Sequence, residues 1–393
     1  MNIKSILLGS AAALVAVSGA RAADAVVMVE PEPVEYVRVC DVYGAGFFYI
    51  PGTETCLKIG GYVRMRLEAN DAATPFASDL DGDDDYNFVS RVRARLNFDV
   101  REETELGTLR AFARVQATNV SGGSNGYAMD QAYIQLGGLT LGYLDSLWAE
   151  RDGLLTDNDW SVGDFNQNRI SYTYTNSGFS AALSVEDDGD GDFTPDVIAQ
   201  LAYEGGFGGA YISGVYDEDG SFDDDFSDFF GFDGVDADEA SDGAFALKAG
   251  IELKDLLTAD SVFKVEGHYA FDPTVYASNS YLNDGRNTDF GGNSVSEFAA
   301  TAIPVEWQIG AGYQQSFGKL TGYVSGVYGE TFDFTSNGGV DYDNGEFWGA
   351  AINVGYEITS NFSVLAEVDY RDIDTNVDDF DQTTGFLQFQ RSF

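Results

Sequence analysis

Apolar and polar side chains alternate along much of this 393-residue chain, and the alternation restricts the fold more than any other feature. In residues 62–67, Val63 and Met65 fall on one face, whereas Arg64 and Arg66 fall on the other. Because successive side chains of a β-strand point to opposite faces, the pattern predicts strands with one apolar and one polar face. The same pattern recurs in residues 92–100, 109–116, 131–136, 245–253, 263–271, 305–313 and 362–370.

We predict sixteen strands, and the links that join them alternate between long and short. A soluble β-sandwich also alternates, but an outer-membrane barrel has long loops at one end, tight turns at the other and strands of roughly 10 residues. We therefore predict an all-β fold, a sixteen-stranded antiparallel transmembrane β-barrel with short periplasmic turns and long extracellular loops. The strands are predicted at 58–68, 88–100, 108–118, 128–136, 139–145, 168–175, 179–186, 195–203, 208–216, 243–253, 261–271, 304–316, 319–329, 346–356, 361–371 and 383–393. The long links are predicted at 69–87, 119–127, 146–167, 187–194, 217–242, 272–303, 330–345 and 372–382.

The first residues carry the features of an export signal. Lys4 supplies a positive charge, residues 6–17 are largely apolar, and residues 20–22 form a small-x-small cleavage pattern. Beyond this signal no run approaches the ~18 apolar residues that a membrane helix requires, so the mature chain is either secreted and soluble or a barrel. The predicted division of the chain is a signal peptide at 1–22, an N-terminal periplasmic segment with a disulfide at 23–57 and the barrel at 58–393.

Acidic residues outnumber basic ones by 65 to 21, and the resulting formal net charge of −44 argues against nucleic acid as a partner. The acid is concentrated in the long links, above all in residues 79–85, 187–192 and 217–242. Solvated loops explain this concentration, and specific divalent-cation sites are the alternative. The EF-hand spacing fails in the second cluster because Phe193 stands where that motif requires glycine. Diffuse attraction of cations follows from the charge alone.

One histidine and two cysteines leave little room for catalytic or metal chemistry. Many zinc sites and most catalytic triads need more histidine than this, so we predict no enzyme, no cofactor and no metal site. His268 falls on the polar face of its strand and is expected to line the barrel interior. Export to an oxidising compartment favours a disulfide between Cys40 and Cys56 over free thiols or a metal site.

Residues 37–64 read VRVCDVYGAGFFYIPGTETCLKIGGYVR and closely resemble the start of the general diffusion porins of alphaproteobacteria. Residues 30–35 and the terminal Phe393 are similar too, whereas Arg391 departs from the pattern because it occupies a lipid-facing position. The resemblance implies a homotrimer with three separate pores, each narrowed by a third extracellular loop that folds inward. It also implies a Gram-negative outer-membrane location, contact with lipid and lipopolysaccharide, and insertion by the barrel-assembly machinery.

Arginines crowd the polar faces of the first three predicted strands and place a basic wall beside the lumen. If the acidic third long link enters the barrel, acid faces base across the lumen, and the field there orients dipolar solutes and excludes apolar ones. The alternative is a plugged barrel in which the arginines only neutralise neighbouring carboxylates. The predicted basic wall comprises Arg64, Arg66, Arg91, Arg93, Arg95, Arg110 and Arg114, and the predicted acidic loop contributes Glu150, Asp152, Asp157, Asp159 and Asp164.

Together these features predict a water-filled channel through which small hydrophilic solutes and ions diffuse down their gradients. A surface receptor or adhesin that binds through its acidic loops is the alternative, and a barrel enzyme is a third interpretation. An energy-coupled transporter with twenty-two strands and a plug does not fit a chain of this length. The sequence leaves ion selectivity open, because acidic loops and a basic wall favour opposite ions.

Overall fold

The computed structural model describes most of the chain between residue 38 and the C-terminus. The described residues are 38–70, 87–158, 160–187, 193–220, 235–237, 243–279, 303–336, 341–377 and 379–393. The predicted signal peptide lies outside them, as do Asp159 and most of the three acidic clusters in the long links. Among the described residues, no helix has both the length and the apolar character needed to cross a membrane.

Sixteen antiparallel strands close into a barrel, as the sequence predicted. Each strand pairs with the next along the chain, and the last pairs with the first, with Met65 opposite Phe389. The strands are β1 (Cys56–Asn70), β2 (Asn87–Thr104), β3 (Gly107–Val120), β4 (Asn125–Leu136), β5 (Leu139–Asp145), β6 (Asn166–Asn176), β7 (Phe179–Glu186), β8 (Asp196–Gly205), β9 (Gly208–Asp217), β10 (Ala244–Lys254), β11 (Ser261–Ala270), β12 (Ile303–Phe317), β13 (Leu320–Thr331), β14 (Glu346–Thr359), β15 (Phe362–Asp374) and β16 (Asp379–Ser392).

The alternation separates the two faces of the barrel wall. Val63 on the outer face is 50% exposed, and Leu96 is 38% exposed, although both are large apolar residues. The polar residues that alternate with them face inward. Arg66, for example, bonds to Asp157 of the third long link. An exposed apolar exterior around a polar interior is the arrangement that a strand barrel needs in lipid, and it confirms the predicted parity.

Two of the predicted long links are short. Residues 121–124 join β3 to β4, and residues 375–378 join β15 to β16, because the flanking strands continue pairing beyond their predicted ends. Elsewhere the links add structure that the pattern did not indicate. Strands at Val235–Ala237, Phe334–Ser336 and Asp341–Tyr342 form a separate three-stranded sheet.

The N-terminal segment is tied to the start of β1 by the predicted disulfide between Cys40 and Cys56, which is present. A short strand, Phe48–Tyr49, pairs with the first residues of β1, where β16 has already ended. Phe47 packs against the disulfide, and the Arg101 guanidinium lies 5.2 Å from the centre of its ring. The segment therefore extends the wall of the barrel and covers its own small apolar cluster.

The third long link folds into the barrel, in agreement with the expectation from the family resemblance. We call residues 146–165 the inward loop. Its Leu147 and Trp148 join one buried cluster with Tyr276, whereas its Leu154 and Trp160 join a second one. Apolar side chains from the loop thus fill spaces against the inner wall, which fixes the loop within the barrel.

Candidate functional site

The inner faces of β1 to β4 form a surface that we call the arginine wall. Arg64 lies directly opposite Arg93 across the β1–β2 pair, and Arg66 lies opposite Arg91. Like charges at directly opposed positions destabilise a strand pair. The register therefore places mutual repulsion at this part of the barrel, and other groups must compensate for it.

Carboxylates within the arginine wall neutralise part of its charge. Asp130 of β4 accepts from Arg95 of β2 and Arg114 of β3, and Asp99 of β2 accepts from Arg101 of β2 and Arg110 of β3. Sequence reasoning missed Glu68 and Asp99 as partners, although both lie on the polar faces next to the predicted arginines. It also missed Asp130, which has the parity of the apolar residues of β4 and reaches the arginines at a shift in the register between β3 and β4. The measured ion pairs are Arg91–Glu68 at 3.1 Å, Arg95–Asp130 at 3.3 Å, Arg114–Asp130 at 3.2 Å, Arg110–Asp99 at 3.0 Å and Arg101–Asp99 at 2.7 Å.

Arg64 and Arg93 differ from the other arginines of the wall. Within the described part of the chain, neither forms an ion pair with a carboxylate. The Arg64 guanidinium lies 5.4 Å from the centre of the Tyr62 ring, and Arg93 Nε donates to the Thr118 hydroxyl at 3.1 Å. These two guanidiniums hold the least compensated positive charge of the wall.

The inward loop contacts the arginine wall through Asp157. Asp157 accepts from Arg66 Nη2 at 2.7 Å. The same guanidinium donates twice to Gln388 Oε1 of β16 and stacks 3.9 Å from the centre of the Phe386 ring. Arg66 is therefore held by two side chains of the neighbouring strand β16 and capped by a carboxylate of the loop.

The other acidic residues of the loop turn away from the arginine wall. Glu150 bonds to Arg169 of β6, and Asp152 accepts from Lys248 Nζ of β10 at 2.7 Å. Burial raises the pKa of Asp164 above its ordinary value, and the neighbouring Asp145 carboxylate adds to the rise. Asp159 lies outside the described residues.

The inward loop lies on a second surface, which we call the covered wall, made by the inner faces of β6 to β15. Gln308 of β12 donates to the Trp160 carbonyl at 2.6 Å, and Lys264 of β11 donates to the Arg151 carbonyl at 2.7 Å. Glycine makes this approach feasible, since a Cβ added at Gly312 would lie 1.9 Å from the Leu154 carbonyl oxygen. Loop and wall are thus in direct backbone contact.

Solvent reaches the two walls very differently. On the arginine wall, the side chains of Arg91 and Arg114 are 32% and 27% exposed. On the covered wall, those of Arg169 and Lys248 are 3% and 1% exposed. His268 belongs to the covered wall too, where it is buried and bonds to a backbone carbonyl instead of facing open lumen. The accessible interior therefore runs beside the arginine wall.

Charged side chains in an accessible interior can bind and orient hydrated solutes without any covalent step. The guanidiniums of the wall and the exposed Asp157 are both accessible to solvent there. Sequence reasoning overlooked several charged residues that occupy polar-face positions of their strands, such as Lys248, Arg169 and Glu367. Applying the alternation to every strand would have identified them.

Comparison with known proteins adds an independent line of evidence. A family model described as a porin subfamily matches residues 24–388. Porin Omp2b of Brucella canis and porin Omp2b of Brucella suis biovar 1 are each 46% identical to this chain over 244 residues. The alignment covers 55% of this chain, and the chain spans 65% of the length of these curated relatives.

Solved structures of barrels share the fold at low sequence identity. The outer membrane channel DcaP of Acinetobacter baumannii superposes with a TM-score of 0.59 at 15% identity, over 86% of this chain and 97% of that one. OmpT of Vibrio cholerae lacking loop L8 gives a TM-score of 0.54 at 13% identity, over 87% of this chain and 100% of the other. Family and barrel together place the protein in the outer membrane of a Gram-negative bacterium. Since the family model matches nearly the whole chain, the protein belongs to the porin subfamily.

Proposed function

We propose that the protein is a passive channel for small hydrophilic solutes and ions across the outer membrane. One observation carries the proposal: the charged arginine wall is partly open to solvent inside a closed barrel, while the inward loop packs on the covered wall. A wet, charged passage admits hydrated solutes, because their lost water is replaced by fixed charges and dipoles. It excludes apolar solutes, which gain nothing in return for the water they displace.

Within this channel, we assign the constriction to the contact between the inward loop and the arginine wall. Asp157 and Arg66 bring acid and base together there, and Arg64 and Arg93 extend the positive side. Among the described loop carboxylates, Asp157 alone bonds to the wall, and the field across the narrow zone is expected to come mainly from the arginines. Anions are expected to dwell beside Arg64 and Arg93, whereas the acidic outer links raise the local cation concentration.

The proposal extends to the chain's processing, domains and partners. Residues 1–22 are removed on export, residues 23–57 form the disulfide-tied periplasmic segment, and residues 58–393 form the barrel. The channel assembles as a homotrimer in contact with outer-membrane lipid and lipopolysaccharide, after insertion by the barrel-assembly machinery. It needs no cofactor and carries out no catalysis, and nothing in its family favours a receptor or adhesin role.

Reconstitution of the purified full-length protein tests the channel directly. In a planar bilayer it should insert as discrete conductance steps, and liposomes that contain it should swell in small sugars but not in large ones. A folded protein that gives neither steps nor swelling would contradict the proposal and leave the adhesin interpretation. A salt gradient across the same bilayer gives the reversal potential and therefore the sign of the selectivity.

A further inference from the structure

The tip of the inward loop, residues 156–158, is held by buried acceptors of the covered wall. Glu367 of β15 accepts two consecutive backbone N–H groups, that of Asp157 at 2.7 Å and that of Asn158 at 2.8 Å. Asn353 of the neighbouring strand donates its side-chain amide to the same carboxylate at 2.8 Å. Asp369, two residues farther along β15, accepts the Asn158 side-chain amide at 3.0 Å.

These groups are buried, and the carboxylate is satisfied by amides. Glu367 is 2% exposed and Asn353 is 3% exposed. A buried carboxylate costs much desolvation unless hydrogen bonds compensate, and bonds from N–H groups to an ionised carboxylate are the strong kind. The loop tip supplies two of the three N–H groups that bond to Glu367. The buried carboxylate is therefore stabilised only while the tip stays in place, and the tip is held in place by the carboxylate.

The residue held by Glu367 is also the residue that contacts the arginine wall. The backbone N–H of Asp157 points to Glu367, whereas its side chain accepts from Arg66 on the arginine wall. Glu367 and Arg66 lie on strands separated only by β16, and they hold the same residue where the covered wall meets the arginine wall. We propose that Glu367, oriented by Asn353, is the positioning residue that sets the place of Asp157, and with it the width and charge of the narrow zone. This inference rests on the proposed channel function.

The substitution E367Q tests the inference with little change of shape. A glutamine amide replaces one acceptor oxygen with a donor nitrogen, so it cannot offer a separate oxygen to each of the two backbone N–H groups as Glu367 does. One of them must then face another donor, and the tip should leave the wall. The matched control is D99N, which also removes one interior carboxylate but contacts Arg101 and Arg110 instead of the inward loop.

The exchange rate of the loop-tip amides measures how firmly the tip is held, and this measurement does not depend on transport. In the folded full-length protein, amides of the peptide that spans the loop tip should exchange about tenfold faster or more in E367Q, the effect of losing a bond to a charged acceptor. D99N should leave their exchange unchanged. Unchanged exchange in E367Q would overturn the inference.

Current recordings in a planar bilayer measure how a loosened tip changes the narrow zone. E367Q should show added open-channel noise and a shift of reversal potential different from that of D99N, because a loosened Asp157 no longer stays beside Arg66. Faster exchange together with wild-type current would also overturn the inference, since the tip would then not set the narrow zone. A wild-type protein that conducts no current contradicts the channel proposal instead, so the two failures are distinguishable.

A second variant guards against a fold that does not tolerate E367Q. N353A removes the amide that orients Glu367 without touching the loop itself. It should change exchange and noise in the same direction as E367Q, but less. An N353A protein that folds and matches wild type in both measurements, where E367Q does not fold, would count against the positioning role.

Discussion

The arginine wall and the covered wall are built from the same alternating strands, yet they hold their charges in different ways. On the arginine wall, Arg64 and Arg93 oppose each other with solvent nearby. On the covered wall, Lys248 is buried and bonded to Asp152 of the inward loop. Solvation allows like charges to stand together on the first wall, whereas the second needs a partner for each charge. The loop therefore divides one polar interior into a passage and a packed interface.

The largest expected effect concerns the outer face that both walls share. Leu96 faces lipid, and the next residue, Asn97, faces the interior at the same depth of β2. We expect L96R to lower the free energy of unfolding by roughly 2–4 kcal/mol near the bilayer midplane. N97R should cost less, because water and Asp99 offset part of the repulsion from Arg114, which lies opposite on β3. Urea unfolding in lipid vesicles measures both, and equal losses would break the assignment of faces.

A smaller effect on stability than that of L96R is expected where the inward loop packs on the covered wall, and two glycine substitutions compare this wall with a strand surface that the loop does not touch. A Cβ at Gly312 would collide with the Leu154 carbonyl oxygen, whereas a Cβ at Gly322 would have no neighbour within 4 Å. We expect G312A to cost about 1–3 kcal/mol, as overpacking does in cores, and to push the loop toward the arginine wall with a lower conductance. G322A should match wild type in stability and current. A G312A channel with unchanged conductance would show that the loop does not border the passage.

Alternation alone was enough to predict the walls, but not the contacts between the loop and its wall. The sixteen strands and their inward and outward faces follow from side-chain parity, which is a local property. The pairing of Glu367 with Asn158 joins residues 209 positions apart, and no local pattern specifies which of several inward carboxylates a loop will meet. The same limit explains why Glu150 and Asp152 were expected to face the arginine wall but bond elsewhere.

The links show a related limit at the strand ends. Residues 121–124 were expected within a longer loop, but pairing between β3 and β4 continues to Asn119 and Asn125. Outside the bilayer, backbone groups can bond to water or to a neighbouring strand at similar cost. Apolar alternation therefore marks where a strand crosses the membrane and not where its ladder ends.

A further prediction tests the charge of the arginine wall against that of its neutralised neighbours. The double substitution R64S/R93S removes the two guanidiniums that pair with no carboxylate of the described residues, so the reversal potential should shift toward cation permeation and conductance should rise. R110S removes an arginine of similar exposure that is bonded to Asp99. R110S should shift the reversal potential less per charge lost, because Asp99 keeps its ion pair with Arg101. Equal shifts per charge would show that wall carboxylates do not compensate their partners.

The smallest expected effect is the salt dependence of that shift, and it separates charge from size. The Debye length falls from ~10 Å at 0.1 M salt to ~3 Å at 1 M, so the fields of Arg64 and Arg93 reach less of the passage at high salt. The selectivity difference between wild type and R64S/R93S should shrink accordingly. The ratio of their conductances should fall only in part, because the volume freed by two shorter side chains does not depend on salt. A selectivity difference that persists at 1 M salt would instead place the two guanidiniums in a zone too narrow for screening ions to enter.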